Sequence, residues 1–245
     1  MRILHLTDTH LFSDKSGDVQ AKTHHERFIN FINHFNKNRK LLNVDSVIVT
    51  GDISHDGSVI SYDVFFENMD SLSIPYAVLP GNHDDLGNLD TAIKIAKHTV
   101  AVEQLSNASW ALFGLNSVVP REDYGFINKD TLYNLREGLT DTTCENIAIF
   151  LHHHLVPVGT PLVDICKLMN SDDLLTLCHD SPVKFIGTGH AHTLFQRKID
   201  NILVSVSPAL CSQWENGTSA VSIVNNSGFS IIALDKSIFI ETHFI

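Results

Sequence analysis

Short apolar runs rich in β-branched residues recur through the first two-thirds of this chain, with amphipathic stretches between them. Runs of this kind, bounded by polar turns, predict buried β-strands. Strands that alternate with helices form mostly parallel sheets whose faces the helices cover, so the pattern constrains the chain to an α/β fold. The six predicted strands are Ile3–Thr7, Ser46–Thr50, Tyr76–Leu79, Ala111–Leu115, Ile147–Leu151 and Lys184–Thr188.

The stretches between these runs predict helices. In the segment His24–Leu42, the residues Phe28, Phe31, Ile32 and Phe35 recur at spacings of three and four. That spacing places them on one face of a helix, which is the face expected to be buried. The other predicted helices are Ser58–Ser71, Leu86–Lys97, Asp130–Glu137 and Leu162–Cys178.

The last third of the chain has a different pattern, in which strand-like runs follow one another with short turns between them. Consecutive strands joined by tight turns favour antiparallel pairing. We therefore expect a C-terminal meander that completes a second sheet of the α/β core. No linker is visible in the 245 residues, so we expect one domain over residues 1–245. The strands predicted here are Leu194–Lys198, Ile202–Val206, Ala220–Val224, Phe229–Leu234 and Ile238–His243.

The composition limits the partners and the compartment. The 28 acidic residues exceed the 17 Lys and Arg residues by 11. This balance argues against a nucleic-acid partner, because proteins that bind nucleic acid contact the phosphates through basic patches. No apolar run reaches the roughly 18 residues of a membrane helix, and the N-terminus has the pattern of a strand rather than of a signal peptide. We therefore predict a cytoplasmic monomer or homodimer with no membrane partner.

The cysteines Cys144, Cys166, Cys178 and Cys211 are widely spaced and form no Cys-x-x-Cys pair. In a cytoplasmic chain we expect them to be free, part-buried thiols. No thiolate metal site is predicted, and a metal site would need other donors.

Five polar motifs follow predicted strands, at the point where each strand ends. Ligands of open α/β sheets bind at the carboxyl ends of the strands, so we expect these side chains to meet. In an extended segment, residues i and i+2 project to one face. Asp8 and His10 should therefore reach one point, and so should His190 and His192. The motifs are Asp8-Thr-His10, Gly51-Asp52, Gly81-Asn82-His83-Asp84, His152-His153-His154 and Gly189-His190-Ala-His192.

Each motif alone has an ordinary structural explanation, such as a polar turn that caps the helix starting near Leu86. Together, the motifs supply imidazole, carboxylate and amide groups from five separate strand ends. Manganese, iron, cobalt and zinc suit this donor set better than calcium or magnesium. The remaining histidines lack such a context and are expected on the surface or satisfied in the core: His5, His24, His25, His34, His55, His98, His179 and His243.

The order of these motifs resembles the pattern of the calcineurin-like metallophosphoesterase superfamily, over residues 8–192. The chain is most similar to the bacterial class III cyclic-nucleotide phosphodiesterases. The resemblance implies a four-layer αββα sandwich and a centre of two divalent metal ions, iron or manganese, with zinc and cobalt as alternatives. The stretches that carry the closer resemblance are Leu6–Phe12, Pro80–Asp85, His152–Gly159 and Ser207–Trp214.

The resemblance also implies a role for each motif residue. His83 would be the catalytic residue that meets the phosphate or the leaving oxygen, and Asn82, His83 and His153 would contact substrate. A related branch that hydrolyses a lipid-precursor pyrophosphate usually has arginine in place of His83, which disfavours that branch. His154-Leu155 stands where many relatives have proline, a departure that affects the loop beside the substrate and removes no ligand. The implied ligands are Asp8, His10, Asp52 and His192 for the first metal, and Asp52, Asn82, His152 and His190 for the second.

The implied function is hydrolysis of a phosphodiester bond by metal-activated hydroxide, with 3′,5′-cyclic AMP converted to AMP as the favoured reaction. A broad phosphodiesterase acting on 2′,3′-cyclic nucleotides or glycerophosphodiesters, and a phosphomonoesterase, stay open. So does a non-catalytic metal-binding scaffold, although such a chain would be expected to have lost ligands. The acidic balance disfavours a nuclease. Asp164 and Asn170 contact substrate or serve only as a helix N-cap and a surface amide; the sequence leaves both open.

Overall fold

The structure is a computed structural model that describes residues 1–14 and 19–245. Its strands are β1 Arg2–Leu6, β2 Ser46–Thr50, β3 Tyr76–Leu79, β4 Trp110–Gly114, β5 Asn146–Phe150, β6 Val183–Thr188, β7 Phe195–Ile199, β8 Ile202–Val206, β9 Gln213–Trp214, β10 Ile223–Val224, β11 Gly228–Leu234 and β12 Ile238–Phe244. Its helices are α1 Val19–Leu42, α2 Val59–Ser71, α3 Leu86–Ile95, α4 Lys129–Asp141, α5 Pro161–Asp164 and α6 Ser171–His179, with a 3₁₀ turn at Val102–Leu105.

Two five-stranded sheets form the centre of the fold. The first has the order β12-β11-β1-β2-β3, with β1, β2 and β3 parallel and β11 and β12 antiparallel. The second has the order β4-β5-β6-β8-β7, in which β7 runs antiparallel to β8. The structure confirms the six strands predicted in the first two-thirds of the chain, each to within one residue.

Helices cover the outer face of each sheet. Phe28, Phe31 and Phe35 of α1 are fully buried against the first sheet, as their spacing predicts. On the second sheet, α4 and α6 bury Leu135 and Leu174. Each large apolar side chain removed from water stabilises the fold by about 1.5–3 kcal/mol. The layers therefore form the expected αββα sandwich. Between the sheets lie Ile3, Ile48, Leu112, Phe150, Phe185 and Ile232.

The C-terminal strands do not all join the second sheet, so the prediction of a meander that completes that sheet is wrong. Only β7 and β8 belong to the second sheet, whereas β11 and β12 extend the first. The reason is that β11 pairs antiparallel with β1 and packs Phe229 against Phe31, with 5.4 Å between the ring centroids. The predicted strand Ala220–Val224 is reduced to the two residues of β10.

The predicted helix Leu162–Cys178 is also wrong, because the structure has two shorter helices, α5 and α6, in its place. Between them the backbone pairs with other segments. The N–H of Leu168 donates to His154 O at 2.9 Å, and the N–H of Met169 donates to Gly125 O at 2.8 Å. These contacts compete with helical hydrogen bonds. Among the described helices, none combines the length and the apolarity needed to cross a membrane.

Candidate metal centre

Seven side chains from the strand-end motifs meet beyond the carboxyl ends of β1, β2, β3, β5 and β6. We define the first quartet as Asp8, His10, Asp52 and His192. In it, His10 Nε2 lies 3.4 Å from Asp52 Oδ2 and 3.1 Å from His192 Nε2. His192 Nε2 lies 3.3 Å from Asp8 Oδ1. Two sheets and three loops therefore supply one set of donor atoms.

The second quartet is Asp52, Asn82, His152 and His190. The Nε2 atom of His152 lies 3.4 Å from Asp52 Oδ2 and 3.0 Å from Asn82 Oδ1. The same atom lies 3.2 Å from His190 Nδ1. Asp52 Oδ2 therefore faces both quartets. The seven residues that the sequence pattern named as ligands are the seven that the structure brings together.

In the carboxylates and in most of the imidazoles of the quartets, one polar atom forms a hydrogen bond that orients the side chain. The second polar atom then points toward the other donor atoms. Asp8 Oδ2 accepts from the Thr7 hydroxyl at 2.7 Å, which leaves Oδ1 toward the first quartet. His152 Nδ1 donates to Thr50 O at 2.6 Å, and His192 Nδ1 donates to Ser212 O at 2.9 Å. A carbonyl oxygen only accepts, so in both rings Nδ1 carries the proton and Nε2 can present a lone pair. Such partners orient metal-binding histidines.

The backbone that presents these side chains is not extended, so the reasoning from an extended i, i+2 pair was wrong. Asp8 and His10 have φ of 55° and 45°, and His190 and His192 have 65° and 44°. Asp52 has a φ of 50°. Five of the nine described non-glycine residues with positive φ therefore belong to the quartets. Left-handed conformations of such residues cost roughly 1–3 kcal/mol each and concentrate at functional sites. The loops hold them there: the N–H of Asp8 donates to Gly51 O, and that of His10 to Asp52 O.

Asp84 holds two of the loops together, a role that the sequence motif did not reveal. Its buried carboxylate accepts from the N–H groups of Ile53, Ser54 and Gly81, at 3.1, 3.0 and 2.9 Å, and from the Tyr62 hydroxyl at 3.1 Å. Burial and the nearby Asp52 raise the pKa of Asp84 to about 6. Asp84 thus joins the loop after β2 to the loop after β3.

Glycine is required where these loops touch. A Cβ on Gly81 would overlap the Asp52 side chain, and a Cβ on Gly189 would overlap the Thr7 hydroxyl. Both contacts bring the backbone against a carboxylate-bearing loop. The Gly-Asn-His and Gly-His motifs therefore need their glycines for close approach.

The electrostatics of the quartets favour positive charge between them. Burial raises the pKa of Asp52, but His152 and then His10 outweigh it and hold the pKa well below its ordinary range. Burial lowers the pKa of His152, yet Asp52 and Asp8 raise it to about 9. Burial lowers the pKa of His10 and of His190 well below the ordinary value, so both rings are neutral. Ionised carboxylates and neutral imidazoles are the forms that bind metals, so Asp52, His10 and His190 are already in that form, whereas His152 would release a proton when a cation binds.

The donor geometry and chemistry fit divalent cations. Donor atoms that lie about 2.0–2.2 Å from one cation are separated by about 3.0–3.5 Å, the spacing seen in both quartets. Asp8 Oδ1 and His190 Nε2 are buried and have no hydrogen-bond partner among the described residues. Buried polar atoms left without a partner are costly, and a cation would satisfy Asp8 Oδ1. Asp8, His10 and Asp52 also form one of the possible ligand groups.

A cavity of about 340 Å³ opens onto both quartets. Histidines form one side of it, and they include His24 and His55, which the sequence had suggested were surface or satisfied core residues. His24 is buried and donates from Nδ1 to His10 O at 3.0 Å. His55 stacks between Phe12 and His83, at centroid distances of 4.4 and 4.9 Å. No lysine or arginine lines this cavity in the described part of the chain.

The Asn82-His83 dipeptide lies at the floor of the cavity. The N–H of His83 donates to Asp52 Oδ1 at 2.9 Å. His83 Nδ1 lies 3.3 Å from His55 O, and its ring lies 4.7 Å from that of His10. The backbone of His83 therefore fixes the shared carboxylate, while its imidazole is left beside the quartets.

The structure does not bring His153 to the cavity. Its side chain is fully buried, with Nδ1 2.8 Å from the Ser117 hydroxyl and its ring behind that of His190 at 4.6 Å. It forms a possible ligand group with His152 and His190, and of the three predicted substrate contacts only Asn82 and His83 line the cavity.

Asp164 and Asn170 stabilise loops. The carboxylate of Asp164 accepts from the N–H groups of Val158 and Gly159, at 2.7 and 3.1 Å. Asn170 exchanges hydrogen bonds with the backbone N–H and C=O of Ile127, at 3.0 and 2.9 Å. Neither residue lines the cavity, and these contacts favour a structural role for both, although Asp164 is the last residue of α5 and not a helix N-cap.

Cys211 lies closer to the quartets than its sequence context suggested. Its Sγ atom lies 3.5 Å from His192 Nδ1, and it forms a possible ligand group with His10 and His192. Because His192 Nδ1 already faces Ser212 O, Cys211 packs behind the ring of this histidine. All four cysteines are free, as predicted.

Comparison with known proteins shows which protein family the chain belongs to. The family model of calcineurin-like phosphoesterases matches residues 1–194, and the chain belongs to this family. The family consists of metal-dependent phosphoester hydrolases, so the chain is an enzyme of that class. The sequence had indicated both the family and the αββα fold.

Two relatives that match most of the chain have names that include a substrate class. A probable cyclic nucleotide phosphodiesterase of Xenorhabdus bovienii (strain SS-2004) is 36% identical, over 99% of this chain and 99% of that protein. The 3′,5′-cyclic adenosine monophosphate phosphodiesterase CpdA of Escherichia coli (strain K12) is 28% identical, over 88% of this chain and 78% of that protein. Among solved structures, GAP50, the anchor in the inner membrane complex of Plasmodium, has a TM-score of 0.64 at 14% identity, covering 100% of this chain and 84% of that chain. This last likeness concerns the fold alone.

Proposed function

We propose that the chain hydrolyses phosphodiester bonds with two divalent cations, one in each quartet, and that 3′,5′-cyclic AMP, converted to AMP, is its preferred substrate. The observation that carries the proposal is the pair of quartets with Asp52 Oδ2 between them. The cyclic nucleotide phosphodiesterase names of the relatives support the choice of substrate.

The cations would be manganese or iron, with zinc or cobalt as alternatives, because the donors are imidazole, carboxylate and amide groups. When bound, such a pair clamps the phosphate oxygens and makes hydroxide available at neutral pH. The protein holds the ligands in place: Thr50 O and Ser212 O orient His152 and His192, and the N–H of His83 holds Asp52. These contacts act before substrate arrives, so little reorganisation is needed.

His83 is the proposed catalytic residue. Its ring lies beside His10 at the cavity and is steadied by His55 O at Nδ1. Nδ1 then carries its proton toward that carbonyl, so Nε2 would donate a proton to the departing oxygen of the ester only from the imidazolium form of the ring. Asn82 would contact the phosphate next to it.

The charge balance supports an anionic substrate. Two divalent cations carry +4, and Asp8 and Asp52 together carry −2, so the centre has an excess of positive charge. A hydroxide of charge −1 leaves +1, which a phosphodiester of charge −1 balances without further basic groups. A monoester of charge −2 also fits this sum, so the balance favours phosphate esters in general. This fits a cavity in which the described lining has no lysine or arginine.

The test is a substrate panel after the purified protein has been stripped and reconstituted separately with manganese, iron, zinc or cobalt. We expect kcat/KM to be highest for 3′,5′-cyclic AMP, ahead of 2′,3′-cyclic AMP, glycerophosphocholine and p-nitrophenyl phosphate. A preference for p-nitrophenyl phosphate would favour a phosphomonoesterase. Two bound metals with no turnover of any ester would favour a non-catalytic scaffold and overturn the proposal. The predicted cytoplasmic location and the monomer or homodimer state belong to the same proposal, and cell fractionation and light scattering test them.

A further inference from the structure

The cavity lining combines two kinds of side chain: six histidines, and a group of large apolar residues. We define the apolar wall as Leu162, Trp214, Val221 and Ile223, which all line the cavity. An active site that needed only a phosphate would have no reason to present such a wall.

The apolar wall is anchored to the metal-ligand loop. The indole ring of Trp214 stacks on the imidazole of His192 at 5.3 Å and 29°. The N–H of Trp214 donates to His192 O at 2.9 Å. Trp214 of the wall therefore contacts a member of the first quartet directly. A group attached to a phosphate bound at that quartet would lie close to the wall.

Backbone contacts join the parts of the wall. Ile223 pairs with Trp214 across the antiparallel strands β9 and β10. The N–H of Leu162 donates to Thr218 O at 3.1 Å, which ties α5 to the segment between these strands. The wall therefore combines a short helix with a strand pair, and both keep a fixed position relative to Trp214.

Two members of the wall are exposed to solvent. Val221 is 69% exposed and Ile223 is 48% exposed. Between them, the hydroxyl of Ser222 donates to Glu215 Oε2, at 2.5 Å. Exposed apolar groups at the rim of a concave site are typical of a surface that an apolar ligand covers.

The wall offers no counter-charge for a second anionic group, since the described cavity lining contains no lysine or arginine. The part of the substrate that meets the wall is therefore uncharged. It also has a face that can lie against an indole and aliphatic side chains. A nucleobase has both properties, and stacking of a base on an aromatic side chain contributes about 1–3 kcal/mol. A glycerol group has neither a flat face nor an apolar one.

We propose that the apolar wall binds the nucleobase of the substrate and makes this enzyme prefer nucleotides to phosphodiesters without a base. This inference rests on the proposed function for its phosphodiester chemistry. It adds the group of residues that would recognise the base.

Two substrates that differ only in the base test the proposal: 3′,5′-cyclic AMP and its abasic analogue, ribose 3,5-cyclic phosphate. With the metal-loaded protein, we expect Ile223→Ser to raise KM for cyclic AMP three- to tenfold with little change in kcat. The kinetic constants for the abasic analogue should not respond to this substitution. Val224→Ser is the matched control, because Val224 is the next residue of β10 and does not line the cavity.

Trp214 gives a stronger version of the test. We expect Trp214→Leu to raise KM for cyclic AMP more than Ile223→Ser does, and Trp214→Phe to recover most of the loss. Because Trp214 contacts His192, metal content is measured for both variants. Equal losses on both substrates, or no loss on either, would overturn the proposal.

A binding measurement separates this inference from the proposed function. Adenosine has no phosphate, so its contact with the wall does not depend on the metals. We expect saturation-transfer NMR to show transfer to the adenine protons with the wild-type protein and Val224→Ser, and much less with Ile223→Ser. Adenosine binding without turnover of any ester would support base binding by the apolar wall and contradict the proposed function. Turnover of cyclic AMP without saturation transfer to the adenine protons would support the proposed function and overturn base binding by the apolar wall.

Discussion

The strands of this protein bury two different kinds of surface along their length. Within β2, β5 and β6, residues such as Ile48, Phe150 and Phe185 fill the apolar space between the sheets. A few residues further on, Asp52 and His152 are equally inaccessible to water. Burial stabilises the first group and, without partners, penalises the second. The comparison teaches that the core between the sheets stabilises the fold, while the strand ends hold polar atoms in costly positions for a ligand.

Of the substitutions that test this contrast, Asp52→Ala is expected to have the largest effect. It removes the carboxylate that faces both quartets, so we expect bound metal to fall below one equivalent and turnover to vanish, while circular dichroism shows a folded protein. Asp90→Ala is the matched control, since Asp90 pairs with Lys94 on the surface, far from the quartets. Near wild-type hydrolysis of bis(p-nitrophenyl) phosphate by metal-loaded Asp52→Ala would refute the site.

His83→Ala separates the binding of metal from the chemistry within the polar strand-end region. A positioned acid–base group contributes roughly 10²–10⁴ in rate, so we expect a loss of that size in kcat with both metals retained. Metal content by mass spectrometry and single-turnover rates measure the two effects. His179→Ala, an exposed substitution, is the control. Loss of both metals from His83→Ala would mean instead that His83 is a ligand.

Phe185→Ala tests the other half of the contrast. Phe185 is fully buried between the sheets and packs against Phe150 at 5.7 Å. Its truncation leaves a cavity, so we expect the free energy of unfolding to fall by about 3–5 kcal/mol. The kcat of the folded fraction should stay near the wild-type value. The exposed Phe239→Ala is the control in urea denaturation. A loss of activity larger than the loss of stability would show that the core and the strand ends are not separable.

The smallest predicted effect is the pH dependence of metal affinity. The pKa of His152 in the metal-free protein is raised to about 9, so below that pH its imidazole holds a proton that a cation must displace. Affinity should therefore rise with pH between 6 and 9, by up to about tenfold per unit for each proton displaced. Calorimetry in two buffers of different ionisation enthalpy measures the protons released. Affinity that stays constant between pH 6 and 9 would contradict the proposed pairing of His152 with Asp52.

Much of the site could be predicted because its signals are local. Gly51-Asp52 and Gly189-His190 directly follow apolar strands, and the end of a parallel strand is where a ligand-binding side chain belongs. The αL conformation of Asp8 and His10 could not be predicted, since it depends on hydrogen bonds to the neighbouring loop. His55 and Trp214 were missed for the same reason, because only the neighbours that they meet in the fold give them a role.

The sequence by itself determined the order of the six strands in the α/β part and the buried face of α1, since periodicity and strand ends are read within a few positions. The donor residues were predicted from the resemblance of its motifs to a known family. Only the tertiary structure decided that β11 and β12 return to the first sheet, that Asp52 Oδ2 lies between two quartets, and that apolar side chains line the same cavity as the histidines. The physical reason is distance along the chain. His10 and His192 are 182 positions apart, and their contact at 3.1 Å exists only because two packed sheets bring their strand ends to the same edge.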